Sequence, residues 1–362
     1  MSNDGTLPLK ILTDVLSRLP VKSLCRSKCV SPSWNSLISS PCFAKTHLNR
    51  TKTLKNPNQK ILIVADNLLY SVDIADRNPT ATKLNLPTAE QQPPEDWVRV
   101  YNSDDGLVLV SRRSGAGTEL FLLNPSTREC KKLPVFPFVL DSANSFHTNL
   151  CGVGYDSSTD DYKVVMVSPA WSQSSPQWAG VSTVAVYSLE TDSWRRIQDT
   201  NFTYVGSTGR VFVNGCLHGI CWRDGSHVIV AFDLSNEVVR EVPQPALYIG
   251  SDVTLYSVAV LGGCLCLVHK HASEFWKMEE YGVRESWTKF KIRSRSLFLL
   301  GEDEFLVNTT PGRRPKQLVV YNSREDTMRN MEVCGIQEVF FFEGTYVESL
   351  ISPHHGGGIG RQ

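Results

Sequence analysis

Between about residue 52 and residue 352 one unit keeps returning: an aliphatic run, a polar turn opened by Asn, Asp or Ser, and a second run that often closes on Leu-Pro or Val-Pro. It reads Leu120-Phe121-Leu122-Leu123-Asn124-Pro125-Ser126-Thr127 into Leu133-Pro134, and Val184-Ala185-Val186-Tyr187-Ser188 into Trp194-Arg195-Arg196-Ile197. It returns as Val230-Ala231-Phe232-Asp233-Leu234-Ser235 into Val242-Pro243, and as Leu318-Val319-Val320-Tyr321-Asn322 into Met331, with weaker copies around residues 68–87 and 275–290. Turn-opening positions 73, 124, 188, 233, 279 and 322 stand 51, 64, 45, 46 and 43 residues apart. That is the spacing of propeller blades. Each unit after the first is preceded by a second hairpin signal, at Asp105-Gly106, Asp160-Asp161, Asn214-Gly215, Gly262-Gly263 and Asp303-Glu304, with Glu343-Gly344 after the last. Two hairpins per repeat predict four-stranded blades, about six of them, in an all-β propeller over residues 52–352. Residues 339–342 and 346–351 are apolar enough to complete the ring beside the first blade, which removes an exposed sheet edge. Residues 353–362, with three consecutive glycines, read as a flexible tail.

The first 50 residues carry a different period. Ile11, Leu12, Val15, Leu16 and Leu19 fall on one helical stripe; Pro8 suits its first turn and Pro20 ends it. Ser23 can cap a second helix with Leu24, Cys29 and Val30, and Pro32-Ser33 open a third with Trp34, Leu37 and Ile38. The reading is a small three-helix module over residues 1–50. Seven basic residues against Asp4 and Asp14 give it a charge of +5, although the 362-residue chain is neutral overall. A module of about 45 residues sits near the size at which a core needs disulfides, metal or a partner. Its apolar surface exceeds what three short helices cover among themselves, so a partner surface is expected.

Other functional classes find little support. Balanced charge gives no global pull toward nucleic acid, and no run approaches the roughly 20 apolar residues that span a bilayer. The ten cysteines form no Cys-x-x-Cys pair and read as reduced, buried, small hydrophobes of a cytosolic or nuclear protein. His269-x-His271 lacks a third ligand, so no metal and no cofactor are expected. Basic pairs such as Arg112-Arg113 read as solvated hairpin ends. No nucleophile elbow, phosphate loop, zincin motif or dinucleotide fingerprint appears.

The residues Leu7-Pro8, the run from Val15 through Leu19-Pro20-Val21-Lys22-Ser23-Leu24, Lys28-Cys29-Val30-Ser31, Trp34, Leu37-Ile38-Ser39-Ser40-Pro41 and Phe43 resemble a plant-type F-box. The repeats resemble the kelch-like F-box-associated domain of the same plant family. The motifs are Ser103-Asp104-Asp105-Gly106-Leu107, Asn124-Pro125-Ser126-Thr127-Arg128, Gly152-Val153-Gly154-Tyr155-Asp156 and Tyr346-Val347-Glu348-Ser349-Leu350. The chain departs from the family pattern at Lys10, where acidic residues usually follow Leu-Pro, and at Ser27 and Pro32.

This resemblance implies a non-catalytic substrate receptor of an SCF-type ubiquitin ligase; the cysteine usage predicts a location in the cytoplasm, the nucleus or both. The F-box would bind a Skp1-like adaptor, and through it a cullin and a RING protein, while the propeller holds a protein substrate for degradation. A non-degradative F-box scaffold and a kelch-type propeller enzyme are the rival classes. Expected adaptor contacts are Leu7, Pro8, Ile11, Leu12, Val15, Leu16, Leu19, Pro20, Val21, Leu24, Cys29 and Trp34, with about half of the helical stripe serving the module's own core. Substrate contacts are expected in the turn-rich insertions at Phe138, Phe146, His147, Trp171 and Trp178. Leu16→Asp should abolish adaptor binding while leaving the blades folded.

Overall fold

The computed structural model describes residues 8–53, 59–76, 78–87, 97–114, 117–138, 150–169, 182–204, 209–245, 256–269, 274–291, 297–300, 303–307, 318–336 and 340–354. Four helices come first: α1 (Leu9–Leu16), α2 (Val21–Ser27), α3 (Pro32–Ile38) and α4 (Pro41–Lys52). Two of them start on the same device. Ser31 Oγ accepts from the Trp34 N–H and Ser40 Oγ from the Phe43 N–H, each at 3.2 Å, with proline at the first helical position. The three-helix expectation therefore falls one helix short. α4 was hidden because its inner face, Phe43, Ala44, His47 and Leu48, places a histidine where the apolar period needs an aliphatic residue. Pro20 caps α2, so Ser23 lies inside that helix and not before it.

Six β-sheets follow, strung in sequence as blades of a propeller. The second blade shows the pattern: Trp97–Asp104, Leu107–Ser114, Gly117–Asn124 and Glu129–Lys132 pair antiparallel in order. The innermost strand of the fourth blade comes in two pieces, Thr203–Tyr204 and Val211–Val213, both paired with Cys216–Arg223. Asp105-Gly106 and Asn214-Gly215 adopt φ of 52° and 84°, and of 53° and 71°. Such left-handed pairs match the twist of two-residue hairpins. The recurring polar turn has one chemical cause. Asn124 Oδ1 accepts from the Ser126 and Thr127 N–H groups at 2.8 and 3.3 Å, as Asp233 does for Ser235 and Asn236, and Asn322 for Arg324 and Glu325. The Leu-Pro and Val-Pro ends also gain a partner. The Trp194 and Trp287 indole N–H groups donate to the Pro134 and Pro243 carbonyls of the preceding blades, at 3.0 and 2.8 Å.

The ring closes with a strand from the other end of the chain. Phe341–Val347 pairs with Gln59–Ala65 and becomes the innermost strand of the first blade. Glu343-Gly344 is not a hairpin, because the pairing passes from Leu62 opposite Gly344 to Ile63 opposite Phe342, leaving Glu343 as a bulge inside that strand. Two further readings change. Cys29, Cys42 and Cys334 are exposed, although Cys151, Cys216, Cys221 and Cys266 are buried as expected. Arg112 is buried, since its guanidinium pairs with Glu119 at 2.5 Å and donates to the Pro87 carbonyl at 2.9 Å. No helix of the described residues is long and apolar enough to cross a membrane.

Candidate protein-docking surfaces

The helical head sits on one end of the ring. Leu16, Val21, Leu24, Ile38, Phe43, Ala44 and Leu48 share a continuous apolar cluster with Tyr101, Leu107, Leu133, Tyr162 and Leu189 of the second and third blades, and with Leu350 and Ile351 beyond the closing strand. Asn124 ties that closing segment down. While its oxygen organises the turn, its Nδ2 donates to the Ile351 and Ser349 carbonyls at 2.7 and 3.1 Å. Two lysines two turns apart on α4 reach the blades as well: Lys52 Nζ lies 2.5 Å from the buried carboxylate of Asp105, and Lys45 pairs with Asp160. Asp105 and Asp160 both stand in turns between the first and second strands of their blades. Those turns mark the end of the ring that carries the head.

Seated this way, the head divides the helical stripe. Leu12, Leu16 and Leu19 point inward, with Leu16 only 1% exposed, whereas Ile11 and Val15 face outward at 50% and 51%. Leu9, two residues before Ile11, and Val30, after α2, are 66% and 64% exposed and add to the uncovered apolar surface; neither was among the expected adaptor contacts. Pro8, Pro20 and Cys29 are exposed, and Trp34 and Leu12 are half-buried against the shared cluster. Val21 and Leu24, at 2% and 0%, are core residues like Leu16 and offer no surface to a partner. The cluster that buries them runs on from the helices into the blades, a continuity that neither the helical stripe nor the blade repeat shows by itself. Leu7 lies outside the described residues. Beside the outward stripe, Arg50 donates to Asp14 Oδ1 and Ser17 Oγ at 3.1 and 3.2 Å, across a groove between α1 and α4 that Leu9, Lys10, Thr13 and Thr46 also line. Hydrogen bonds from Arg18 and Arg50 hold the Asp14 carboxyl below the usual carboxylate range.

The strand ends at Trp97, Leu150, Pro169 and Ser182 face away from the head and border the turn-rich segments, most of whose residues lie outside the described ones. Phe146, His147, Trp171 and Trp178 lie outside the described residues. Phe138 is described and half-buried: its ring meets Phe136 edge-on at 5.4 Å, and Phe136 meets Trp194 at 5.2 Å. Because Trp194 directly follows the turn at residues 188–193, on the same end as Asp160, Phe138 packs between the second and third blades on the head's side of the ring and not on the far end.

Two carboxyls of the inner strands are raised. Desolvation lifts Glu343, whose Oε2 accepts from the Val100 N–H at 3.2 Å, to about 7. Desolvation and the neighbouring Asp105 charge lift Asp104, although its Oδ2 accepts from the Tyr155 N–H at 2.8 Å. A carboxyl raised above its unfolded value makes the folded state the better proton binder, so stability falls as pH rises from the unfolded value toward the folded one. Melting temperature is accordingly expected to decline between about pH 5 and about pH 7. Glu343→Gln, which keeps an acceptor for Val100, should flatten that decline. A decline unchanged in the variant would remove Glu343 as its cause.

A helical head with an outward apolar stripe, seated on one end of a six-bladed ring, defines a two-module protein with an exposed docking face. Residues 60–352 match the F-box associated beta propeller domain, and residues 6–46 match the F-box domain. The F-box protein CPR1 of Arabidopsis thaliana is 32% identical over 312 residues, covering 79% of this chain and 72% of that one. The F-box/kelch-repeat protein At3g23880 of the same plant is 29% identical over 304 residues, 80% of each chain. Among solved structures, TolB from Acinetobacter baumannii aligns with a TM-score of 0.49 at 14% identity, over 84% of this chain and 72% of that one. The chain belongs to the plant F-box proteins that carry an F-box-associated β-propeller domain.

Proposed function

We propose that this protein is the substrate receptor of an SCF-type ubiquitin ligase in the cytoplasm, the nucleus or both. Its head binds a Skp1-like adaptor, and through it the cullin and the RING protein. The ring holds a protein substrate at the end away from the head. The observation that carries this reading is the outward half of the α1 stripe, Ile11 and Val15 with Leu9, left uncovered although the inner half is packed. Covering such side chains contributes about 1.5–3 kcal/mol each when burial is complete, which makes a protein surface the natural occupant. Pro8, Pro20 and Cys29 are exposed as well, and Leu12, Leu19 and Trp34 keep part of their surface accessible. The receptor performs no bond chemistry of its own. It raises the local concentration of a substrate lysine near a charged conjugating enzyme, and the thioester chemistry stays with other subunits.

The test is co-elution of the full chain with a purified Skp1-type adaptor. The unaltered protein is expected to form a one-to-one complex. The double variant Ile11→Asp, Val15→Asp should lose at least about a hundredfold in affinity while melting within a few degrees of the parent, because both side chains are solvent-facing. Equal co-elution of parent and variant would defeat the proposal.

A further inference from the structure

The described head holds eight basic residues, and the structure sorts them into two sets. Arg18 and Arg50 share Asp14 at 2.7 and 3.1 Å, Lys45 pairs with Asp160, and Lys52 pairs with Asp105. Lys10, Lys22, Arg26 and Lys28 meet no carboxylate within 4.0 Å among the described residues, and Asp14 is the one acid of the described head. The first set is used in building the head and seating it on the blades. The second lies on the elements that carry the uncovered apolar side chains: Lys10 separates Leu9 from Ile11, and Lys28 precedes Cys29-Val30. On α2, Lys22 and Arg26, followed by Cys29, repeat at i, i+4 and i+7 as an exposed stripe opposite buried Val21 and Leu24.

Resting on the adaptor reading above, we infer that the partner surface is an apolar patch ringed by carboxylates, and that Lys22 and Arg26, with Lys10, select an acidic adaptor over a neutral one. Four cations without a carboxylate partner, on the same helices and turn that carry Leu9, Ile11, Val15 and Val30, give both chemistries at once. The apolar centre supplies the affinity. The basic rim supplies steering and discrimination, since rim charges act chiefly on association rate and on the rejection of wrong partners. An apolar centre fits a protein partner and does not fit a phosphate backbone, which would leave those side chains uncovered.

The experiment measures association and dissociation of the full-length protein with a purified Skp1-type adaptor, from about 50 to about 500 mM NaCl. Affinity of the unaltered chain is expected to fall about tenfold or more over that range, mostly through slower association. The charge reversal Lys22→Glu, Arg26→Glu should weaken low-salt binding by at least about tenfold and abolish the salt dependence. Lys83→Glu, an exposed position on the first blade, should change neither. Replacing a contacting carboxylate of the adaptor with lysine should restore binding to the reversed variant. The inference is overturned if affinity is indifferent to salt and the reversed variant binds within twofold of the parent. It is equally overturned if a DNA duplex, and not the adaptor, responds to the reversal. Failure of the unaltered chain to bind adaptor at any salt concentration would sink the adaptor reading and this inference with it, whereas salt-independent binding would sink this inference alone.

Discussion

Deleting residues 340–354 is expected to abolish cooperative unfolding of the entire protein. The deletion removes the innermost strand of the first blade and exposes the edge of Gln59–Ala65, whose Ile61, Leu62 and Ile63 are fully buried in the intact ring. It also removes Leu350 and Ile351 from the cluster beneath the head, and leaves the buried Asn124 amide without the carbonyls of Ser349 and Ile351. Each loss is of a kind that destabilises by several kcal/mol, roughly the margin by which domains are stable. Thermal denaturation should show no sharp transition, and limited trypsin digestion should cut within the blades. A chain lacking only residues 355–362 serves as the control and should melt like the parent. A single sharp transition within a few degrees of the parent in the larger deletion would show that the closing strand is dispensable.

Leu16→Asp is the second large effect, and its outcome differs from that of Ile11→Asp although the two residues sit five apart on the same helix. Leu16 is 1% exposed within the cluster shared with the blades, so aspartate there leaves a buried unpaired carboxyl or forces the head away. The expected cost is about 4 kcal/mol or more. Because the cluster continues into Tyr101, Leu107 and Tyr162, the damage should spread beyond the helices. Hydrogen exchange should report lost protection both in α4 and in the strands at residues 97–104 and 161–169 of the second and third blades. Ile11→Asp, at a half-exposed position, should leave exchange unchanged. Lost protection confined to residues 8–53 would mean that head and ring are independent units after all.

These contrasts mark where the sequence was legible. The blade spacing was readable because five of the six turns repeat a local chemistry: Asp73, Asn124, Ser188, Asp233 and Asn322 each accept from a backbone N–H just ahead, whatever happens elsewhere in the fold. The closing strand was readable because residues 339–342 and 346–351 carry an apolar pattern with no other blade to join. The direction of Leu16, Val21 and Leu24 was not. A helical stripe reports that a face is apolar, and the neighbour that covers it depends on contacts more than 100 residues away, such as those of Lys45 with Asp160 and Asn124 with Ile351. For the same reason Leu9 and Val30 escaped notice, since an isolated aliphatic residue at a helix end looks ordinary until everything around it is seen to be packed. Arg112 misled in the opposite sense, because its partners Glu119 and the Pro87 carbonyl arrive from a neighbouring strand and from the preceding blade.

A ring whose first blade waits for residues 341–347 cannot be completed in the order in which a ribosome makes it. Throughout synthesis of the middle blades, the nascent chain carries an open strand edge at residues 59–65 and helices still lacking Leu350 and Ile351 beneath them. Chaperone capture during translation, and exposure to premature degradation, should therefore concentrate at the amino-terminal quarter of the polypeptide and cease only when its last strand emerges.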